Sequence, residues 1–169
     1  MSYHQILTQI LDEAVPQLLA LSPEKMQAKT APNKWSKQEI MGHLVDSAYN
    51  NHQRFLRAEG QGNLIFHGYD QVGWVQRNAY QKREWAEIVK LWESTNRHLA
   101  QVITTIDPDF LKLDTSDHNF HLIGMNRPAE GSLSSLSYLV WDYIFHLEHH
   151  VKQLLPEYER ILPPFERGS

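Results

Sequence analysis

The sequence predicts an all-α chain, a four-helix bundle whose long connections serve as crossovers. Three observations carry this: four long segments place apolar residues at helical spacing, Ser and Pro signals mark segment ends, and two connections are too long for hairpin loops. The first segment runs from about Tyr3 to Leu21, with Ile6, Ile10, Leu11, Leu18 and Leu21 on one face. Pro16 is expected to kink it and Ser22-Pro23 to stop it. The second opens at Ser36, which has capping-box spacing to Glu39, and runs to about Arg57 with Ile40, Leu44 and Phe55 in its buried stripe. The third spans roughly Arg83 to Ile106 on Trp85, Ile88, Val89, Trp92, Leu99 and Val102, and Asp107-Pro108 ends it. The fourth buries Leu136, Tyr143, Leu147, Val151 and Leu154. Of the long connections, Ala58 to Tyr80 is rich in Gly, Asn, Asp and Gln and reads as an ordered surface loop, and Asp107 to Gly131 reads as a second loop. The tail from Pro156, with Pro163-Pro164, is expected to be irregular and partly mobile.

Composition narrows the function classes. A chain of 169 residues with 41% hydrophobic content can bury one sizeable core, so one domain spanning 1–169 is expected. The net charge is −4 and the 16 Lys and Arg are scattered, which argues against nucleic acid as a partner. There is no cysteine, so disulfides and thiolate ligands are excluded and any metal must be held by His or carboxylate. The polar start Met1-Ser2-Tyr3-His4-Gln5 carries no secretory signal and no long apolar span follows, so a soluble, cytoplasmic protein without a membrane partner is expected.

Chemistry concentrates on two helices. His146 and His150, four residues apart, are separated by about 40° around the helix axis, so both imidazoles can point at one ion. His149 is rotated farther out by about 60–100°. It is expected at the surface or behind the ligands. Glu148 follows His146 by two residues and lies about 160° from the pair, which does not place it as the general base of a His-Glu-x-x-His helix. On the second helix the buried stripe is interrupted by Ser47 and Asn51, flanked by His43, Asn50 and Arg54. Burying so many polar groups costs free energy unless partners are waiting, so a polar interior is expected there. No Glu-x-x-His occurs anywhere, which disfavours a ferritin-like two-metal site.

The run Trp35-Ser36-x-x-Glu39-x-x-x-His43-Leu44-x-Asp46-Ser47-x-x-Asn50-x-x-x-Arg54, followed far along the chain by His146-x-x-His149-His150, resembles the DinB-like superfamily, specifically its YfiT-type metal-dependent hydrolases. The likeness extends to Tyr69-Asp70-Gln71 with Trp74, and to Pro128-Ala129-Glu130-Gly131 before the last helix. It implies a four-helix bundle with a three-histidine divalent metal site, one ligand from the second helix and two from the fourth. Carried over by motif, those ligands are His43, His146 and His150. Three neutral imidazoles leave an open position at a zinc-like ion, the arrangement of a catalytic site, and a metal-activated water there would give a hydrolase acting on a small-molecule ester, amide or related centre.

A second reading within the family is a transferase whose ion presents a low-molecular-weight thiol to an electrophile. A third is a metal-binding or small-ligand-binding stress module without turnover. Zinc or nickel is the expected ion, with iron and manganese as alternatives, because availability as well as affinity order selects the metal. Asp46 and Asn50 are candidates for orienting a ligand or the substrate, and Tyr69 with Trp74 for walling the pocket. His118 and His121 are read as plain loop residues and His4, His52, His67 and His98 as ordinary surface groups. A homodimer is expected from the resemblance and from the prevalence of two-fold oligomers.

Overall fold

Ser36 opens the helix on which the site is built. Its hydroxyl accepts from the backbone N–H of Glu39 while the Glu39 carboxylate accepts from the backbone N–H of Ser36, the reciprocal box that the spacing predicts. That helix, α2, runs Lys37–Gln61 and ends at Gly62, whose φ of 72° supplies the left-handed turn that stops it. The computed structural model describes residues 1–166. Within them the other long helices are α1 (Tyr3–Leu19), α4 (Trp85–Thr105) and α7 (Leu136–Leu154). Helix α1 is continuous through Pro16.

Both connections expected to be loops contain short helices: α3 (Gln71–Arg77) in the first, α5 (Pro108–Lys112) and α6 (Phe120–Ile123) in the second. The caps are local. Asp70 accepts from the N–H of Gly73, and Asp107 accepts from Asp109 and Phe110 with Pro108 in the first turn. Asp107-Pro108 therefore both stops one helix and starts the next. Extended pairing among the described residues is confined to two isolated bridges, Leu64 with His118 and Thr115 with Ser134.

The four long helices form a bundle in which α1 packs on α4 and α7, and α2 packs on the same two. Helices α1 and α2, consecutive long helices in the chain, thus face each other across the bundle, as do α4 and α7. Each pair is joined by a crossover rather than a hairpin turn, whereas the long connection from Ala58 to Tyr80, also expected to be a crossover, joins α2 to α4, which pack on each other. On the α1 side Leu7, Ile10, Leu11, Ala14 and Leu18 are fully buried, as are Ile88, Val89, Trp92 and Leu99 of α4. None of the described helices is long and apolar enough to cross a membrane.

The tail after α7 is irregular, as expected, but pinned through residue 166. Glu148, 1% exposed, accepts from the Tyr158 hydroxyl and from the backbone N–H groups of Ile161 and Leu162. Trp141 donates to the Pro163 carbonyl, and Phe165 meets the Tyr138 and Trp141 rings. Glu148 is thus a structural anchor facing away from the histidine pair, consistent with its rotation on the helix.

Candidate metal centre and its pocket

The polar stripe of α2 faces the bundle interior. His43, Ser47, Asn51 and Arg54 are 1%, 4%, 6% and 8% exposed, at spacings of three and four that put them on one face. Opposite them α7 supplies His146 and His150. Nε2 of His43 lies 3.0 Å from Nε2 of His146. The three ring centroids are 4.6 to 5.1 Å apart, and one nitrogen from each ring lies within 4.8 Å of the other two. This convergence joins residues separated by most of the chain, and it makes a group that could hold a metal ion.

Local bonds orient the rings. Nδ1 of His150 donates to Oε1 of Gln153 at 2.9 Å, which leaves Nε2 as the free nitrogen of that ring. The Gln153 amide in turn donates to Nε2 of His149 at 3.0 Å. His149 therefore stands beside the cluster on the cavity wall, its ring 5.2 Å from that of His150 and also linked to it through Gln153, a residue the sequence analysis does not single out. Trp35 packs its ring 5.0 Å from that of His43. Nδ1 of His43 is buried without a partner.

Burial holds all three rings neutral. It lowers the His43 pKa to about 3, with the nearby His150 adding to the effect. His146 is pushed well down by burial and by its histidine neighbours, and His150 is pushed down by burial, partly offset by its bond to Gln153. Neutral imidazoles with free nitrogen lone pairs converging at one point are a donor set that fits a borderline divalent ion such as zinc or nickel, because protons do not compete for them near neutral pH.

The rings open onto a cavity of about 570 Å³, lined also by Trp35, Tyr69, Arg54 and Asp142. Tyr69 and Trp74 pack with centroids 4.6 Å apart, but only Tyr69 reaches the cavity wall and Trp74 backs it. Burial and the nearby Asp46 raise the Tyr69 pKa, so its phenol stays protonated. Asp142 is the one carboxylate lining the cavity among the described residues, and its oxygens accept from the backbone N–H groups of Met125 and Asn126.

Asp46 and Asn50 are turned elsewhere. Oδ1 of Asp46 accepts from the Tyr80 hydroxyl at 2.7 Å and from the Asn78 amide at 2.8 Å, tying α2 to the segment after α3. The Asn50 amide, with its oxygen towards Arg54, accepts from Nε and a terminal nitrogen of the guanidinium at 3.3 and 3.2 Å. Neither bonds one of the three histidines. Gly42 explains the close approach of Tyr80, since a Cβ there would lie 2.1 Å from Cδ2 of that ring.

Two other histidine assignments change. His118 is buried, donating to the Ser132 carbonyl and accepting from the Phe120 N–H, so it fastens the second crossover rather than lying idle in a loop. His52 and His98, read as isolated surface groups, meet Nε2 to Nε2 at 3.2 Å because α2 and α4 are neighbours. Nothing in the spacing within either helix reveals that pairing.

Among solved structures, the chain is similar to YfiT from Bacillus subtilis, described as a probable metal-dependent hydrolase with an unusual four-helix bundle topology. The TM-score is 0.71 over 91% of this chain and 82% of that one, at 15% identity, so the likeness is one of fold. No curated protein matches the chain. The sequence profile of the DinB superfamily matches residues 7–154, a stretch that holds the bundle and all three converging histidines, and the chain belongs to that superfamily.

Proposed function

We propose that the chain is a metal-dependent hydrolase in which His43, His146 and His150 hold one divalent ion, zinc or nickel, at the floor of the cavity. The observation that carries this reading is the convergence of three neutral imidazoles beside a cavity large enough for a small molecule. When bound, the ion would supply Lewis-acid polarisation and activate water for attack on an ester, amide or related centre. The residues of the chain supply position and environment. Gln153 fixes the His150 ring by taking its Nδ1 proton in a hydrogen bond, and Trp35 covers His43 and excludes water from that side. Tyr69, kept protonated by burial, donates a hydrogen bond and does not accept a proton from substrate.

The likeness to a protein described as a probable metal-dependent hydrolase favours hydrolysis over the alternatives. The test is elemental analysis of purified protein, followed by an ester and amide hydrolysis screen with and without chelator. Chelator-sensitive hydrolysis is the expected result. Turnover only in the presence of an added low-molecular-weight thiol would replace the hydrolase with a thiol S-transferase, and bound metal without any turnover would leave a binding module. The proposal includes a cytoplasmic homodimer, and light scattering at micromolar concentration that reports only monomer would remove the dimer from it.

A further inference from the structure

Arg54 is a buried cation that, among the described residues, has no carboxylate at ion-pair distance. Its guanidinium is 8% exposed in residue terms and lines the same cavity as the histidines. All its partners are neutral: NH1 donates to the Asn51 amide oxygen at 3.3 Å, NH2 to the His67 carbonyl at 3.1 Å, and Nε with NH2 to the Asn50 amide oxygen. Among the described residues no carboxylate lies within ion-pair distance. The nearest by influence, Asp142, is engaged with the backbone of Met125 and Asn126 and with the Asn126 amide.

Taking a guanidinium out of water without a counter-charge is costly, because neutral amides repay only part of its hydration. Such a group is retained where an incoming anion completes the pair, and a planar fork suits a carboxylate in particular. Asn50 and Asn51 brace that fork from the preceding turn. A second cationic residue, Arg127, lines the same cavity, donating to the Gly124 carbonyl at 3.4 Å.

Position along α2 adds a length. Arg54 follows His43 by eleven residues, about three turns, so the two side chains share a face with a rise between their Cα atoms of about 16 Å. The guanidinium folds back over Asn50 and Asn51, and the His43 ring leans the same way along the helix, so the two groups stand about 10–16 Å apart. We infer that Arg54 is a substrate-binding residue, selecting small molecules that carry a carboxylate roughly one cavity length from the group presented to the three histidines. This inference rests on the hydrolase reading only in taking the cavity as the substrate site.

The probe is a pair of thiols of equal length, 8-mercaptooctanoate and 8-mercaptooctanol, with shorter and longer homologues, titrated into the cobalt-loaded protein and read by its visible absorption. The octanoate should bind the wild type at least about 10-fold more tightly than the octanol, the worth of a charge-assisted hydrogen-bond pair. Arg54→Gln should bring that ratio close to one, chiefly by loss of octanoate affinity, and Arg54→Lys should keep part of it. A ratio in Arg54→Gln as large as that of the wild type, with helical circular dichroism intact, or no preference in the wild type, overturns the inference. Should Arg54→Gln not fold, chain length decides: a preference peaking at a matched length supports a fixed anchor, and one that is flat with length refutes it. If the protein takes up no cobalt, the metal reading has failed by itself. Calorimetry with octanoate and octanol on the metal-free chain then tests Arg54 independently, with loss of carboxylate preference in Arg54→Gln as the supporting result and its absence in the wild type as the refuting one.

Discussion

The α1–α4 interface and the α2–α7 interface are built on the same helical periodicity and filled with opposite chemistry. Leu7, Ile10, Leu11 and Leu18 meet Ile88, Trp92 and Leu99 in the first. The second buries His43, Ser47, Asn51, Arg54 and Asp142 with His146 and His150 at its edge. Apolar burial lowers free energy wherever the shapes fit, at about 25 cal/mol per Å² removed from water. Polar burial does so only where each group meets a partner. The interface in which the histidine nitrogens and the Arg54 guanidinium line one cavity is therefore the one shaped for ligands.

The sharpest way to test that contrast is to remove the converging rings one at a time. His43→Ala, His146→Ala and His150→Ala should each lower divalent-metal content after identical purification from near stoichiometric to a few per cent, with helical circular dichroism largely kept. His149→Ala, which acts through Gln153, should weaken affinity by about 10-fold or less. Stoichiometric metal in the first three would remove the site.

A change on the apolar side should do the reverse. Leu11→Ala, at a position with 0% exposure, should lower unfolding free energy in urea by about 2–5 kcal/mol and leave metal content per folded molecule unchanged. Gly42→Ala probes the face of α2 against Tyr80. In an isolated helix alanine is the better residue by about 1 kcal/mol, yet here the new methyl meets the Tyr80 ring, so a net loss of about 1–3 kcal/mol is expected. A stabilised variant would show that Tyr80 moves freely.

The smallest effect is on pH dependence of the metal-free protein. His43 titrates near 6.5 when unfolded and at about 3 in the fold, so as pH falls the unfolded chain binds its proton first. Stability is complete above pH 6.5 and is lost at about 1.4 kcal/mol per pH unit between the two values for this one residue. Urea midpoints at pH 7.5 and 5.5 should differ accordingly, and His43→Phe should flatten the slope. An identical slope in that variant would mean that the ring is reached by water.

Much of this was readable before any coordinates. The box between Ser36 and Glu39, the last helix over Leu136–Leu154 and the shared face of His146 and His150 depend on neighbours within four residues. The polar stripe of α2 was legible for the same reason. The short helices α3, α5 and α6 escaped because four to seven residues carry too little periodicity, and Asp107-Pro108 was read only as the end of the third helix. His118, Gln153 and the His52–His98 pair were passed over because an isolated polar residue does not announce its partner.

By itself, the sequence determined the four helices and which side chains share a face, because the helix repeat is a local property of the backbone, while α2 runs a turn past the expected Arg57 to Gln61. Only the tertiary structure decided that α1 and α2 oppose each other across the bundle, and that Nε2 of His43 lies 3.0 Å from Nε2 of His146. It also decided that Arg54 lies in the same cavity with no carboxylate of the described residues at ion-pair distance. Those outcomes depend on how two long crossovers route helices that could equally well pack as hairpins. That choice is set by burial summed over the whole core, which no single segment encodes.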